Sequence, residues 1–327
     1  MRKIKWGVLG TAYIFERDTA RGMELAENCE PVAIAGRSLE KANAFKEKYG
    51  FQRAYGSYME LLEDPEIEAV YNPLPNTLHY EWTIEALKRG KHVLCEKPLA
   101  ANEKEAEEMF RVAKENGVIL MEAFAYQHSP LIRTVKEEID RGTIGEIRYI
   151  EAALITSDYD GSNIRMRRDT LGGCTYDLGV YALSFIHRMM GKEPESIQAV
   201  ATFDENRIDT FATGILTYAN GAKANFTSGM VLATEKNAAT DRFEIHGTKG
   251  SIRADRFGFN APGDLSYRIQ TFDGLDEIRN VDVPNNYCLE VEQLGRCITD
   301  GEVPGVSAEF SISLAKIVDG VLGAIGY

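Results

Sequence analysis

Over its first 121 residues the chain alternates short apolar runs with longer amphipathic ones, and this rhythm constrains the fold more than any other feature. Strand-like segments recur at Ile4 to Leu9, Pro31 to Ala35, Ala54 to Tyr55, Ala69 to Asn72, His92 to Cys95 and Val118 to Met121. Between them lie "FERDTARGMELAE", "LEKANAFKEKYG", "SYMELLED", "HYEWTIEALKRG" and "NEKEAEEMFRVAKENG", whose apolar residues recur at helical spacing. Gly50, Gly90 and Gly117 stand where helices end in a left-handed residue. Repeated βα units of this length predict a doubly wound parallel sheet with helices on both faces.

The rhythm breaks near residue 122. After one helix, "PLIRTVKEEIDRG", come the β-branched stretches "IRYIEAALIT", "SIQAVATF", "DTFATGILTY", "AKANFTSGMVLAT" and "DRFEIHG". The pair Asn220 and Gly221 is a hairpin signal, and "GTKGS" reads as a second turn. Two helices, Tyr287 to Asp300 and Ala308 to Leu322, close the chain. A chain of 327 residues exceeds one ordinary core. The expectation is an α/β protein with a doubly wound domain over 1–121 and a second α/β domain over 122–327, built on a large, mostly antiparallel open sheet.

Charge and cysteine usage narrow the function. Fifty acidic against 37 basic side chains leave a net charge of -13, which repels nucleic acid and anionic lipid. No segment approaches the ~20 apolar residues of a membrane span, and no signal-peptide pattern opens the chain. Cys29, Cys95, Cys174, Cys288 and Cys297 form no CxxC pair or zinc-ligand spacing, so no metal site is expected and reduced thiols in the cytoplasm are the simplest account.

"WGVLGTAYIF" ends the first strand with Gly10 and opens the first helix through Thr11, Ala12, Tyr13 and Ile14. Only the first glycine of a GxGxxG fingerprint is present, so a tight turn without a ligand is the plain alternative. The strand-to-helix context favours a pyrophosphate, which backbone N–H groups at a helix start attract. After the second strand comes "AIAGRS", with Arg37 and Ser38 where NAD enzymes usually carry an acid for the ribose hydroxyls. An arginine there suits a 2′-phosphate, so NADP is expected and NAD is the alternative.

The segment "PLPNTLHYEWTIEALKRGKHVLCEKPLA", with "MEAFAYQHSPLIRTVKEEIDRGTIGEIRYIEA" and "GGCTYDLGVYALSF" further on, resembles the Gfo/Idh/MocA oxidoreductase family over nearly the whole chain. The resemblance implies a Rossmann domain, a C-terminal α/β domain whose open sheet forms a homodimer, and hydride exchange between a nicotinamide and a sugar, polyol or vicinal-diol carbon. It implies that Pro73, Leu74, Pro75 and Asn76 pass the nicotinamide ribose, that His79 and Glu96 lie near the cofactor, and that Lys97 lies at the nicotinamide end, joined to Pro98 by a cis bond. Asp177 and Tyr181 match the family's pair four residues apart, and tyrosine places the chain with the branch resembling dimeric dihydrodiol dehydrogenase, xylose dehydrogenase and glucose-fructose oxidoreductase. Arg165 matches a residue type bordering the substrate cleft. "AYQHSP" departs from the family's "YRxHP"-like form at Gln127 and Ser129, so substrate identity does not carry over.

Hydride transfer at an alcohol carbon needs a group that takes or returns the hydroxyl proton. A free phenol, with pKa of about 10, is a poor base at neutral pH. An ammonium ~4 Å away in a medium of effective dielectric ~20 favours the phenolate by about 4 kcal/mol at most. Lys97 is expected to act so on Tyr181, with Asp177 orienting the substrate or the lysine. The plain alternatives are a solvated lysine, a core tyrosine and a helix-capping acid. Two other functions compete: a cofactor-binding, sugar-responsive regulator of the same fold, and a glycosidase-like reaction that recycles its cofactor.

Overall fold

Six parallel strands, β1 (Ile4–Leu9), β2 (Cys29–Ala35), β3 (Arg53–Tyr55), β4 (Ala69–Asn72), β5 (His92–Glu96) and β6 (Leu120–Ala123), form one sheet in the order β3-β2-β1-β4-β5-β6. Ile4, Trp6, Val8 and Leu9 of β1 and all of β4 and β6 are buried, as expected of parallel strands covered on both faces. The computed structural model describes residues 2–156, 161, 163–231, 239–254, 256, 258, 260 and 262–327.

A π-helical turn (Phe15–Thr19) and α1 (Ala20–Leu25) follow β1, with α2 (Leu39–Tyr49), α3 (Tyr58–Glu63), α4 (His79–Lys88) and α5 (Glu103–Glu115) between later strands. Ser38, Ser57 and Asn102 cap α2, α3 and α5 through their side chains, and Gly50 ends α2 at φ 74°. The last strand starts at Leu120 rather than the expected Val118, because the Val118 N–H still donates to the Ala113 carbonyl at the end of α5. The strand order reverses between β1 and β4, which places a ligand crevice at the carboxyl ends of the strands.

The second unit contains α6 (Pro130–Asp140), β7 (Ile147–Thr156), a π-helical turn (Thr175–Gly179) and α7 (Val180–Met190). Seven more strands follow: β8 (Ser196–Phe203), β9 (Asp209–Thr217), β10 (Lys223–Gly229), β11 (Ala239–Gly247), β12 (Gly250–Ala254), β13 (Gly263–Thr271) and β14 (Asp276–Val283). They join β7 in an eight-stranded sheet of order β14-β13-β12-β11-β7-β10-β9-β8, antiparallel except where β10 pairs with β7. Both expected turns are present, with Gly221 at φ 80° between β9 and β10. Residues 232–234 of the expected strand "AKANFTSGMVLAT" lie outside the described residues. β12, β13 and β14 extend the sheet beyond the segments expected from sequence.

The last two helices are α8 (Asn286–Asp300) and α9 (Ala308–Ile325). The chain divides into a unit running through His128 together with Pro284–Ile312, and a unit of Ser129–Val283 with Ser313–Tyr327. The expected boundary at 121/122 thus lies short of the observed one, and α8, expected in the second domain, belongs to the first unit. Gly22 permits its approach to α1, since a Cβ there would lie 2.6 Å from Tyr287 Cβ. Among the described residues no helix is long and apolar enough to cross a membrane.

Candidate active site

The phosphate loop leaves β1 at Gly10, whose φ of 93° favours glycine and whose N–H donates to the Ala35 carbonyl at 2.7 Å. A Cβ at Gly10 would lie 2.8 Å from Leu74 Cδ2, so glycine keeps open the space above the strand end. Thr11, Ala12 and Ile14 are half-buried, whereas Tyr13 is 68% exposed. Thr11 lies beside Gly36 at the end of β2, and Arg37 next to it is exposed. The Ser38 hydroxyl accepts the Lys41 N–H at 3.3 Å, so this expected cofactor residue also caps α2. The cradle fits a dinucleotide phosphate: an open glycine turn, a helix start and an exposed arginine side chain at the end of the neighbouring strand.

The loop of Pro73, Leu74, Pro75 and Asn76 follows β4 and is pinned from both sides. Asn72 accepts the Leu74 N–H through Oδ1 at 3.3 Å and donates through Nδ2 to Thr83 Oγ1 at 3.1 Å. His79 is wholly buried, with Nδ1 2.8 Å from the Pro98 carbonyl oxygen and Nε2 2.7 Å from that of Leu74. It therefore ties this loop to the end of β5. Burial pushes its pKa down to about 4, so the ring is neutral near pH 7 and donates to one carbonyl at a time.

Glu96 ends β5 as a buried acid. Its Oε1 accepts the Tyr71 hydroxyl at 2.6 Å, Tyr71 accepts from Thr19 Oγ1 at 2.9 Å, and Oε2 accepts the Lys97 N–H at 3.3 Å. Burial raises the Glu96 pKa, while the Tyr71 hydroxyl and the Lys97 charge act in the opposite direction. Lys97 is half-buried at the strand tip, and the Lys97–Pro98 bond is cis, as the resemblance implied. Glu122 on β6 accepts the Leu99 N–H at 2.9 Å, and burial raises its pKa to about 7. The first unit thus gathers the phosphate loop, Arg37, the Pro73 loop, His79, Glu96 and Lys97 at the carboxyl ends of β1, β2, β4 and β5.

In the second unit, Arg165 and Asp177 form an ion pair at 2.8 Å, with Asp177 largely buried. Two glycines make this possible. The Gly172 N–H donates to the Arg167 carbonyl and the Gly173 N–H to that of Arg165, folding the arginine loop onto the turn that carries Asp177. A Cβ at Gly172 would lie 2.4 Å from the Arg165 oxygen, and one at Gly173 only 1.9 Å from Asp209 Oδ1. Asp209, wholly buried, accepts the Thr175 N–H at 2.8 Å and anchors the start of that turn. Asp177 lies in the π-helical turn and Tyr181 in the first turn of α7, with Asn260 Nδ2 3.4 Å from the tyrosine hydroxyl. Arg167 pairs with Asp169 on the exposed side of the loop, and Arg168 packs over the Tyr327 ring.

Sequence reasoning missed the residues that hold these groups in place. Asn72, Tyr71, Thr19 and Asp209 carry no motif, and their roles depend on partners 11 to 52 positions away. The double glycine in "GGCTYD" is the one local signal, since paired glycines before an acid mark a close backbone approach. Among the described residues no cluster of His, Cys, Asp and Glu could hold a metal ion.

The family described as the oxidoreductase family with an NAD-binding Rossmann fold matches residues 4–124, and the GFO/IDH/MocA C-terminal domain matches residues 132–253. The chain is 34% identical to D-xylose 1-dehydrogenase (NADP(+)) 2 of Haloferax volcanii, over 97% of this chain and 95% of that one. It is 30% identical to trans-1,2-dihydrobenzene-1,2-diol dehydrogenase of Xenopus laevis, over 98% of both chains. The crystal structure of KijD10, a 3-ketoreductase from Actinomadura kijaniata in complex with NADP and TDP-benzene, superposes with a TM-score of 0.90 at 33% identity, over 99% of this chain and 98% of that one.

Proposed function

This chain belongs to the Gfo/Idh/MocA oxidoreductase family, and on that premise we propose that it interconverts a hydroxyl and a carbonyl on a sugar, polyol or vicinal diol. NADP, when bound, supplies the acceptor or donor of the hydride. The observation that carries the reading is the tip of β5, where the backbone at Lys97 and Pro98 is held by Glu96, Tyr71 and His79 at the carboxyl end of the sheet.

The residues divide the work. Gly10, Thr11 and Ala12 leave room and backbone N–H groups for the pyrophosphate, with Tyr13 and Ile14 opening the helix behind them. Arg37 pairs with the 2′-phosphate, and the loop from Pro73 to Asn76 borders the nicotinamide ribose. Tyr181 takes the hydroxyl proton in oxidation and returns it in reduction, with the Lys97 ammonium favouring its phenolate. Asp177, neutralised by Arg165, orients the substrate hydroxyl, and Arg165 borders that subsite. Hydride chemistry, rather than regulation, accounts for a chain that retains Lys97, Asp177 and Tyr181 together.

We place the protein in the cytoplasm as a homodimer. All five cysteines are free thiols, which suits a reducing compartment. The open face of the second sheet carries Val200, 67% exposed, and Ile215, 46% exposed, on adjacent strands. A mass measurement in solution tests the assembly, and a monomer at micromolar concentration overturns it.

Screening aldoses, ketoses, inositols and dihydrodiols with NADP and NADPH by nicotinamide absorbance tests the activity. Turnover of one class is expected. Tight NADPH binding with no turnover of any of them would move the protein to the regulator class.

A further inference from the structure

α8 presents two fully buried polar side chains one turn apart, Asn286 and Glu290. Neither the Asn286 amide atoms nor the Glu290 carboxyl oxygens have a hydrogen-bond partner among the described residues. α8 packs against α1, β2, β5 and the π-helical turn Phe15–Thr19, so these groups enter the interior behind the tip of β5. The Glu96 charge raises the Glu290 pKa and the Glu290 charge raises that of Tyr71, while α8 itself packs on β5, which carries Glu96, and on the π-helical turn, which carries Thr19. Tyr287, next to Asn286, donates its hydroxyl to Asp18 Oδ2 at 3.1 Å and ties the start of α8 to the same π-helical turn.

Two buried carboxyls that act on each other disfavour one another's ionisation. Glu96 receives the Tyr71 hydroxyl, the Lys97 N–H and the Lys97 charge, whereas Glu290 receives no donor. Ionisation is therefore favoured more at Glu96 than at Glu290. Burial acts in the same direction, raising the Glu290 pKa well above the carboxylate range. A buried polar group without a partner costs about 1–3 kcal/mol, and an apolar side chain of the same shape would remove that cost. Two such groups on one helix face therefore do not serve stability.

We propose that Glu290 and Asn286 are positioning residues for the reaction: as uncharged polar groups behind the Thr19–Tyr71–Glu96 chain, they confine the negative charge to Glu96 and so set the backbone from which Lys97 reaches the reacting centre. The proposal rests on the reading of Lys97 as a group of the active site. It assigns a function to α8 that no motif marks.

The test compares Glu290→Gln, Glu290→Met and Asn286→Leu. Infrared difference spectra of the wild type against Glu290→Gln at neutral pH are expected to show a protonated carboxyl in the wild type alone, and melting is expected to rise in Glu290→Met. With the sugar or diol turned over in the cofactor screen, Glu290→Met and Asn286→Leu are expected to lower kcat roughly ten- to a hundredfold. NADPH binding, followed by its fluorescence, should stay within about twofold, and Glu290→Gln should restore kcat. A wild-type spectrum without that carboxyl, or Glu290→Met with unchanged kcat, overturns the proposal. If the wild type turns over no substrate, the functional reading fails instead, and the infrared and melting results still decide the state of Glu290.

Discussion

The Arg165 guanidinium lies 2.8 Å from the Asp177 carboxylate, joined to it by a loop folded back through Gly172 and Gly173. An acid with a cation at this distance is suited to orienting a hydroxyl. Arg165→Met should leave Asp177 largely buried without its counter-charge, lowering kcat/KM roughly ten- to a hundredfold with NADPH affinity unchanged. Steady-state kinetics and a fluorescence titration measure the two effects, and loss of NADPH binding would show that Arg165 serves the cofactor instead.

Tyr181 is the proton-transfer group we propose. Tyr181→Phe keeps the ring that packs in α7 and removes only the hydroxyl beside Asn260. Turnover should fall roughly 10²- to 10⁴-fold. The melting temperature and NADPH dissociation constant should stay near wild type, and near-normal turnover would remove Tyr181 from the mechanism.

Arg37 stands exposed at the end of β2, beside the buried Tyr58 hydroxyl, whose pKa it pulls back down against the upward push of burial. Arg37→Ala should raise the Michaelis constant for NADPH roughly ten- to a hundredfold, the worth of one charge-assisted hydrogen bond of about 1.5–3 kcal/mol. The constant for NADH should hardly change. Equal losses with both cofactors would place the arginine away from the 2′-phosphate.

Gly173 has φ 115°, and a Cβ there would run into Asp209. Gly173→Ala should therefore destabilise the second unit by more than about 1 kcal/mol and disturb Asp177, whose N–H donates to the Gly173 carbonyl. Calorimetry with parallel activity assays checks this, and an unchanged melting temperature would contradict the close approach.

Stability should also respond to pH through β6. Burial raises the Glu122 pKa from 4.5 to about 7, so the folded state holds a proton that the unfolded chain releases. The stability this contributes is fully present below 4.5 and is lost as pH rises through about 7. Glu122→Gln removes that dependence while keeping an oxygen for the Leu99 N–H. The variant should gain melting temperature relative to wild type as pH rises from 5 towards 8, and a constant difference would show that Glu122 is ionised when folded. His79 has the opposite sign: its pKa falls from 6.5 to about 4 on folding, so its contribution is lost as pH drops through that interval.

Local pattern sufficed for the first sheet and for the tips of its strands. Apolar runs of β1, β4 and β5, helices between them and closing glycines at regular intervals leave few alternatives to a doubly wound sheet. Gly10 was placed by its local strand-to-helix context, whereas Lys97 and the Asp177–Tyr181 pair were singled out by the resemblance of their segments to the family's motifs. β12 to β14 were harder to read, since an exposed edge alternates polar and apolar residues weakly and its pairing depends on neighbours distant in sequence. The boundary between the units was hidden for a related reason: α8 is an ordinary amphipathic helix, and nothing in its pattern says which sheet it covers.

By itself the sequence determined the order of elements, the identity of the chemical groups and their places at the ends of strands and helices, because each depends on propensity and spacing within about 20 residues. Only the tertiary structure decided how readily each buried acid ionises. Glu96, Glu122 and Glu290 are the same side chain in the sequence; Tyr71, the Leu99 N–H and the absence of any described donor, respectively, make them three different groups. Burial and hydrogen bonding from distant segments set the free energy of a buried charge, and those partners come together only when the chain has folded.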